Sequence, residues 1–115
     1  ADHSKGDERT IGGYAAVHAR PAAFDGRDGF SYSVEILSDR VDAPDGAYGA
    51  FFLFLQWKRM GEQGVAGHLE SAFLAHGPDS IAAKTALGAM PVEEVQRILD
   101  ALILASHEQH LEEHR

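Results

Sequence analysis

AYGAFFLFLQWK (residues 47–58), RMGEQG (59–64) and VAGHLESAFLAH (65–76) form one continuous stretch, and its reading decides the fold. Six of the chain's ten aromatic residues lie in it: Tyr48, Phe51, Phe52, Phe54, Trp57 and Phe73. From Ala50 to Leu55 every residue is apolar. A strand with one wet face alternates apolar and polar residues, so both faces of this run are expected to be covered. A helix is the competing reading. Phe51, Phe52 and Phe54 within so short a run, with Gly46 and Gly49 before and Gly61 and Gly64 after, favour a strand. The run is far shorter than the ~18–20 residues a membrane-spanning helix needs, and Gln56, Lys58 and Arg59 follow at once.

Met60 to Gly64 supplies a reversal, because Gly61 and Gly64 tolerate positive φ and Glu62 and Gln63 are solvated turn residues. The stretch therefore reads as a long β-hairpin at the centre of a sheet. On the returning strand Val65, Gly67, Leu69, Ser71, Phe73 and Ala75 share one face, the better core face. Ala66, His68, Glu70, Ala72, Leu74 and His76 share the other.

Working back from the hairpin, Phe30 to Leu37 is a half-buried strand with Phe30, Tyr32, Val34 and Ile36 inward. Asp25-Gly26-Arg27-Asp28-Gly29 before it is a turn signal. Its two aspartates suggest calcium, but Arg27 stands where an EF-hand would want a ligand. Tyr14 to Arg20 is a candidate first strand that Pro21 ends or confines to an edge. Residues 1–13 are polar and read as a flexible arm. Ala1-Asp2-His3 has the form of an amino-terminal copper or nickel site, but spacing alone supports it. Ser38 to Gly46 is an acidic connector; Asp39, Asp42 and Asp45 in it have the oxygen ligands a divalent cation takes, and solvation explains them equally well.

After His76 the period changes. Gly77-Pro78-Asp79 ends the strand and starts a helix near Ser80, with Ala83, Leu87 and Met90 on one face and Gly88 as a terminator. Pro91 opens a second helix with Glu93 and Glu94 in its first turn. Val92, Val95, Ile98, Leu99, Leu102 and Ile103 form its apolar stripe. Strands first and helices after predict an α+β, two-layer fold: an antiparallel sheet of about four strands followed by two C-terminal helices packed on one face. Residues 14–115 make a single domain, a size that supports a core without staples.

The chain has no cysteine, which excludes disulfides, zinc–thiolate sites, iron–sulfur clusters and thiol nucleophiles. The formal net charge of −8 repels phosphate, and no Lys/Arg stripe offsets it, so neither nucleic acid nor an anionic membrane surface is an expected partner. No signal peptide or transmembrane pattern stands in the sequence, and the cytoplasm is the expected compartment. No phosphate-binding glycine loop and no G-x-S-x-G elbow is present, so nucleotide hydrolysis and serine-hydrolase chemistry have no support.

Three constellations could carry chemistry. His68 and Glu70 lie about 7 Å apart on one strand face, where a carboxylate can fix the tautomer of a general-base histidine, or both can hold a metal. They are the candidate catalytic pair. His76 is roughly 27 Å further along an extended strand and cannot join them, whereas His18 or Glu35 on neighbouring strands could complete the set. His107, His110 and His114 share one helical face and are weak candidate metal ligands; the spacing misses H-E-x-x-H, and only adventitious divalent metal is expected there. Trp57, Lys58 and Arg59 could hold an anion, though a strand end entering a turn produces the same string. No cofactor is expected.

Two helices cover one sheet face, which leaves the second face of the Phe-rich strand without an obvious cover inside the chain unless the early loops fold across it. A second copy is the simplest cover, and a binding or assembly module that self-associates as a homodimer is the expected function. The alternative is a small enzyme or divalent-metal-dependent catalyst around His68 and Glu70. No particular small-molecule ligand is indicated.

Overall fold

A computed structural model describes residues 8–41, 47–58 and 64–113, with side chains as far as Glu108 at the C-terminal end. The elements are α1 (Ile11–His18), β1 (Ala23–Asp25), β2 (Ser31–Arg40), β3 (Tyr48–Trp57), β4 (Val65–Glu70), β5 (Ala75–Gly77), α2 (Ser80–Gly88) and α3 (Val92–Glu113). The sheet is antiparallel throughout, in the order β1-β2-β3-β4, with β5 also pairing β3. This is the α+β arrangement the element order predicts.

The Phe-rich run is extended. β3 pairs with β2 over its full ten residues on one side and with β4 and β5 on the other. Its Ala50, Phe52 and Phe54 have no solvent exposure. They meet Tyr32 and Val34 of β2, Ala83 and Leu87 of α2, and Val95, Leu99 and Ile103 of α3 in one core. Each large side chain removed from water in this way contributes about 1.5–3 kcal/mol before entropy is counted. The helices therefore cover one face, called inner below. None of the helices among the described residues is long and apolar enough to cross a membrane.

The returning strand is broken, not continuous. Glu70 lies opposite Leu53 and Ala75 opposite Ala50, so five steps along one strand match three along the other. The two additional residues bulge out between β4 and β5. Ser71 repairs the ladder: its N–H donates to Phe52 O (3.0 Å), and its Oγ accepts from Phe52 N (2.9 Å). An even insertion preserves the face of Ala75 but frees the residues within it. Phe73, expected on the core face, lies instead on the opposite face, edge-on to Phe51 at 5.8 Å between centroids. Glycine at position 49 makes this seat, since a Cβ there would meet the Phe73 ring at 2.6 Å.

The N-terminal part departs most from expectation. Residues 14–20, expected as a strand, belong mainly to helix α1, and Ile11, expected in a flexible arm, is 2% exposed in the core. Thr10 caps α1 by accepting the Gly13 N–H (3.0 Å), and Ala19 ends it at φ 54°. Gly12 rests on Gly88 of α2; a Cβ at Gly12 would meet the Gly88 carbonyl oxygen at 3.0 Å. Tertiary contact thus overrides the poor helix propensity of Gly12 and Gly13. Ile11 N–H donates to Met90 O (2.8 Å), and Val92 N–H donates to Arg9 O (2.8 Å), tying this segment to the start of α3. The first strand is instead β1, in a hairpin with β2.

Of the C-terminal helices, α2 is capped by Asp79, whose side chain accepts from Ala82 N (2.7 Å). Helix α3 starts at Val92 just after Pro91, with Glu93 and Glu94 at its positive end. Val95, Leu99 and Ile103 are its buried stripe. The reversal expected at Met60 to Gly64, the aspartates at 42 and 45, and the Ala1-Asp2-His3 motif lie outside the described residues, except Gly64 at φ 100°.

Candidate functional site

The pairing register lays out the outer face in rows. Leu37 and Phe51 make one row, with Phe73 beside it. Glu35, Leu53 and Glu70 make the next, then Ser33, Leu55 and His68, then Ser31, Trp57 and Val65. Leu37, Phe51, Leu53 and Leu55 are half-buried, and Trp57, Val65 and Phe73 are exposed at 40–44%. Among the described residues no helix lies over them. The Trp57 indole N–H donates to Ser33 Oγ (2.9 Å), so even this ring is anchored across the sheet.

His68 and Glu70 stand on this open face, both exposed, opposite Leu55 and Leu53. Glu35 shares the face, two strands from Glu70 at about 10 Å of backbone separation. His18 does not approach: it sits in α1, its ring against Tyr14 (4.3 Å), with Nε2 3.1 Å from Glu8 Oε2. His76 is opposite Gly49 at the far end of the same face. His107 is exposed on α3, and the side chains of His110 and His114 lie outside the described residues. Lys58 follows Trp57 and is exposed, while Arg59 is outside the described residues. Among the described residues no three His, Asp or Glu side chains converge in a way that holds a metal ion.

A second feature lies on the inner side, at the end of the sheet where α3 leaves it. There a cavity of about 150 Å³ is lined by Asp28, Tyr32, Gln56, Gly67, Ser106 and His107, with Leu69 and Ile103 as its apolar wall and His68 at its border. The pleat carries the His68 side chain away from it, to the face of Leu55. Three polar groups of the cavity form one network. Tyr32, 2% exposed, donates its hydroxyl proton to Asp28 Oδ2 at 2.6 Å. Gln56 Nε2 donates to the Tyr32 hydroxyl oxygen at 2.9 Å and to Asp28 Oδ2 at 3.4 Å. Asp28 Oδ1 accepts the Phe30 N–H at 3.1 Å.

Local chain features hold this network in place. The Asp25–Gly29 turn closes through Gly26 N–H to Phe30 O (2.8 Å), with Gly29 at φ 86°. It is fastened to α3 by Arg27 N–H to Asp100 Oδ1 (3.2 Å) and by Gln96 Nε2 to Asp25 O (3.2 Å). Burial, then the bond to Asp28, pushes the Tyr32 phenol well above its ordinary pKa of 10.0. It stays a neutral donor committed to the carboxylate.

Sequence reasoning missed this network. Asp28 passed as turn chemistry and Tyr32 as an inward aromatic. The available signal was Gln56: it shares the parity of Phe52 and Phe54, so it is a polar side chain on the core face, and such a group needs partners. The chain matches no protein-family model, no curated protein and no solved structure.

Proposed function

We propose that this protein is a binding and assembly module that forms a homodimer through the outer face of its sheet. The observation that carries this reading is the apolar surface formed by Leu37, Phe51, Leu53, Leu55, Trp57, Val65 and Phe73, on a face that no described helix covers. The unbroken apolar run from Ala50 to Leu55 matches burial on both sides, and the helices account for one. Four strands at ~4.8 Å spacing, the longer ones ten residues at ~3.3 Å each, give a face on the order of 500 Å². Over two copies that is about 1,000 Å², at the low end of specific interfaces. A second copy offers the same apolar face by symmetry, as a twofold interface requires. Absence of cysteine is in keeping with a cytoplasmic setting.

The catalytic alternative at His68 and Glu70 gains nothing from the geometry. Their strand positions put both on an open sheet face, and the third groups expected of a site are remote or across the sheet.

The test is the solution mass of the untagged chain by sedimentation. A species of twice 12.4 kDa is expected at micromolar concentration, reduced to one chain by Phe73→Ser and unchanged by Ile81→Ser, which removes a 76%-exposed apolar residue of α2 on the other layer. A single-chain mass at all concentrations, or a dimer indifferent to Phe73→Ser and to a second outer-face change, Leu55→Ser, overturns the reading.

A further inference from the structure

We infer that the cavity between the sheet end and α3 is a binding site for a protonated amine or guanidinium group. The inference follows from which hydrogen-bonding positions the network leaves open. The one hydroxyl proton of Tyr32 goes to Asp28 Oδ2, and the two N–H groups of Gln56 Nε2 go to Tyr32 and Asp28. Every side-chain donor of the network is therefore engaged inside it. What remains are acceptors: further lone pairs of the Asp28 carboxylate, and Gln56 Oε1.

The two donations also orient the Gln56 amide. Its Oε1 lies 3.2 Å from the point where a Cβ on Gly67 would stand, and, Gly67 and its two chain neighbours apart, no other atom of the described residues lies within 4 Å of that point. Glycine on this inner-face position of β4 thus opens the space in front of the carbonyl oxygen. The site is a carboxylate and an amide oxygen beside an opening, with no lysine or arginine among its lining residues.

A ligand that fits must bring donors and positive charge. A phosphate or carboxylate would meet the Asp28 charge with no lysine or arginine on the lining to offset it, only the His107 imidazole and the Ser106 hydroxyl. An alkyl cation lacking N–H groups would satisfy the charge and leave both acceptors without partners, which is costly where water is partly excluded. An ammonium or guanidinium group satisfies both, through charge-assisted bonds. A cavity of about 150 Å³ takes about five waters at ~30 Å³ each, which is room for one such head group with part of its stem. The formal net charge of −8 raises the local concentration of cations around it. The same head group occurs on free small amines and on lysine or arginine side chains of another polypeptide.

The experiment is a titration of the full ¹⁵N-labelled chain with guanidinium, methylammonium, tetramethylammonium and the blocked amino acids N-acetyl-lysine and N-acetyl-arginine methylamide, at constant ionic strength. Saturable shifts of the Gly67 and Leu69 amides and of the Gln56 side-chain NH₂ are expected with the N–H donors, and none with tetramethylammonium. Asp28→Asn is expected to weaken binding at least tenfold. Gly67→Val, which fills the opening without touching the network's charges, is expected to abolish it; this variant keeps the test decisive if Asp28→Asn does not fold. Tighter binding of the blocked amino acids identifies a side-chain source, and tighter binding of the bare amines a free small molecule; both uphold the site. Shifts that grow linearly without saturation, equal shifts with tetramethylammonium, or full binding by Gly67→Val overturn it. Because the readout is local, the outcome is independent of whether the chain dimerises.

Discussion

Replacing Tyr32 by Phe removes a single oxygen from the inner network and should change stability in a pH-dependent way. At neutral pH the variant loses a hydrogen bond to a carboxylate, worth about 1.5–3 kcal/mol, and Gln56 loses one of its acceptors. The ring itself is buried and stays packed, because Phe differs from Tyr only by the hydroxyl; we therefore take about 2 kcal/mol as the central value. With a urea m-value of about 1.5 kcal/mol/M, the unfolding midpoint falls by about 1.3 M.

The alkaline limb is the sharper half of the prediction. In the folded protein the phenol pKa is raised, by burial first and by Asp28 second, above its unfolded value of 10.0. Below pH 10 both states hold the proton and the contribution of Tyr32 is constant. Above pH 10 the unfolded chain releases it and the folded chain does not, so stability falls as pH rises toward the folded pKa. At pH 11 this linkage removes about 1.4 kcal/mol from the native protein and nothing from Tyr32→Phe. The gap of about 2 kcal/mol should therefore narrow to about 0.6 kcal/mol. Urea melts of both proteins at pH 8 and pH 11 measure it. Other titrating groups cancel in the difference. A gap that is equal at both pH values, or wider at pH 11, would refute the assignment of Tyr32 as a locked neutral donor.

Two further outcomes test the packing. Ala19→Gly relieves a left-handed residue at the end of α1 (φ 54°) and should raise stability by about 0.5–1 kcal/mol, seen as an increase of a few degrees in Tm; a lower Tm would mean that the cap is not strained. Leu99→Ala in the buried stripe of α3 should cost about 2–5 kcal/mol by urea unfolding, whereas a loss below about 1 kcal/mol would show that α3 does not seal the core.

The legible part of the fold was the part that periodicity controls. The unbroken apolar run from Ala50 to Leu55 forced a strand, and the stripe of Val95, Leu99 and Ile103 forced a helix, because each pattern is buried in only one way. α1 was illegible because its helicity comes from outside its own sequence, through the Gly12–Gly88 contact and the bonds to Met90 and from Val92. Phe73 was misplaced because alternation counts residues, and the two-residue insertion after Glu70 carries no strong Gly or Pro signal. At the candidate site, the shared face of His68 and Glu70 followed directly from strand parity. The Asp28–Tyr32–Gln56 network did not, because it joins three separate elements through contacts that spacing within any one of them cannot reveal.

The row of Glu35, Leu53 and Glu70 constrains where a second copy can sit. Sheets stacked face to face lie about 10 Å apart with interdigitated side chains, so a carboxylate at the centre of contact loses its water. Each such loss costs several kcal/mol unless a cation compensates, and a twofold axis through this row would gather four of them. On one side of the row lie Leu55, Trp57 and Val65, interspersed with Ser33 and His68. On the other lie Leu37, Phe51 and Phe73, with an aromatic pair already set edge to face and one ring seated over Gly49. Asp39 and His76 make the adjoining row on either side of Gly49, and the His76 ring lies 6.2 Å from that of Phe73. An axis near Phe51 and Phe73 therefore keeps Glu35 and Glu70 off the centre of contact, with Leu55, Trp57 and Val65 on their far side. Charge off the centre steers and orients encounter more than it adds affinity. That is why Phe73 is the side chain whose removal should separate the two copies.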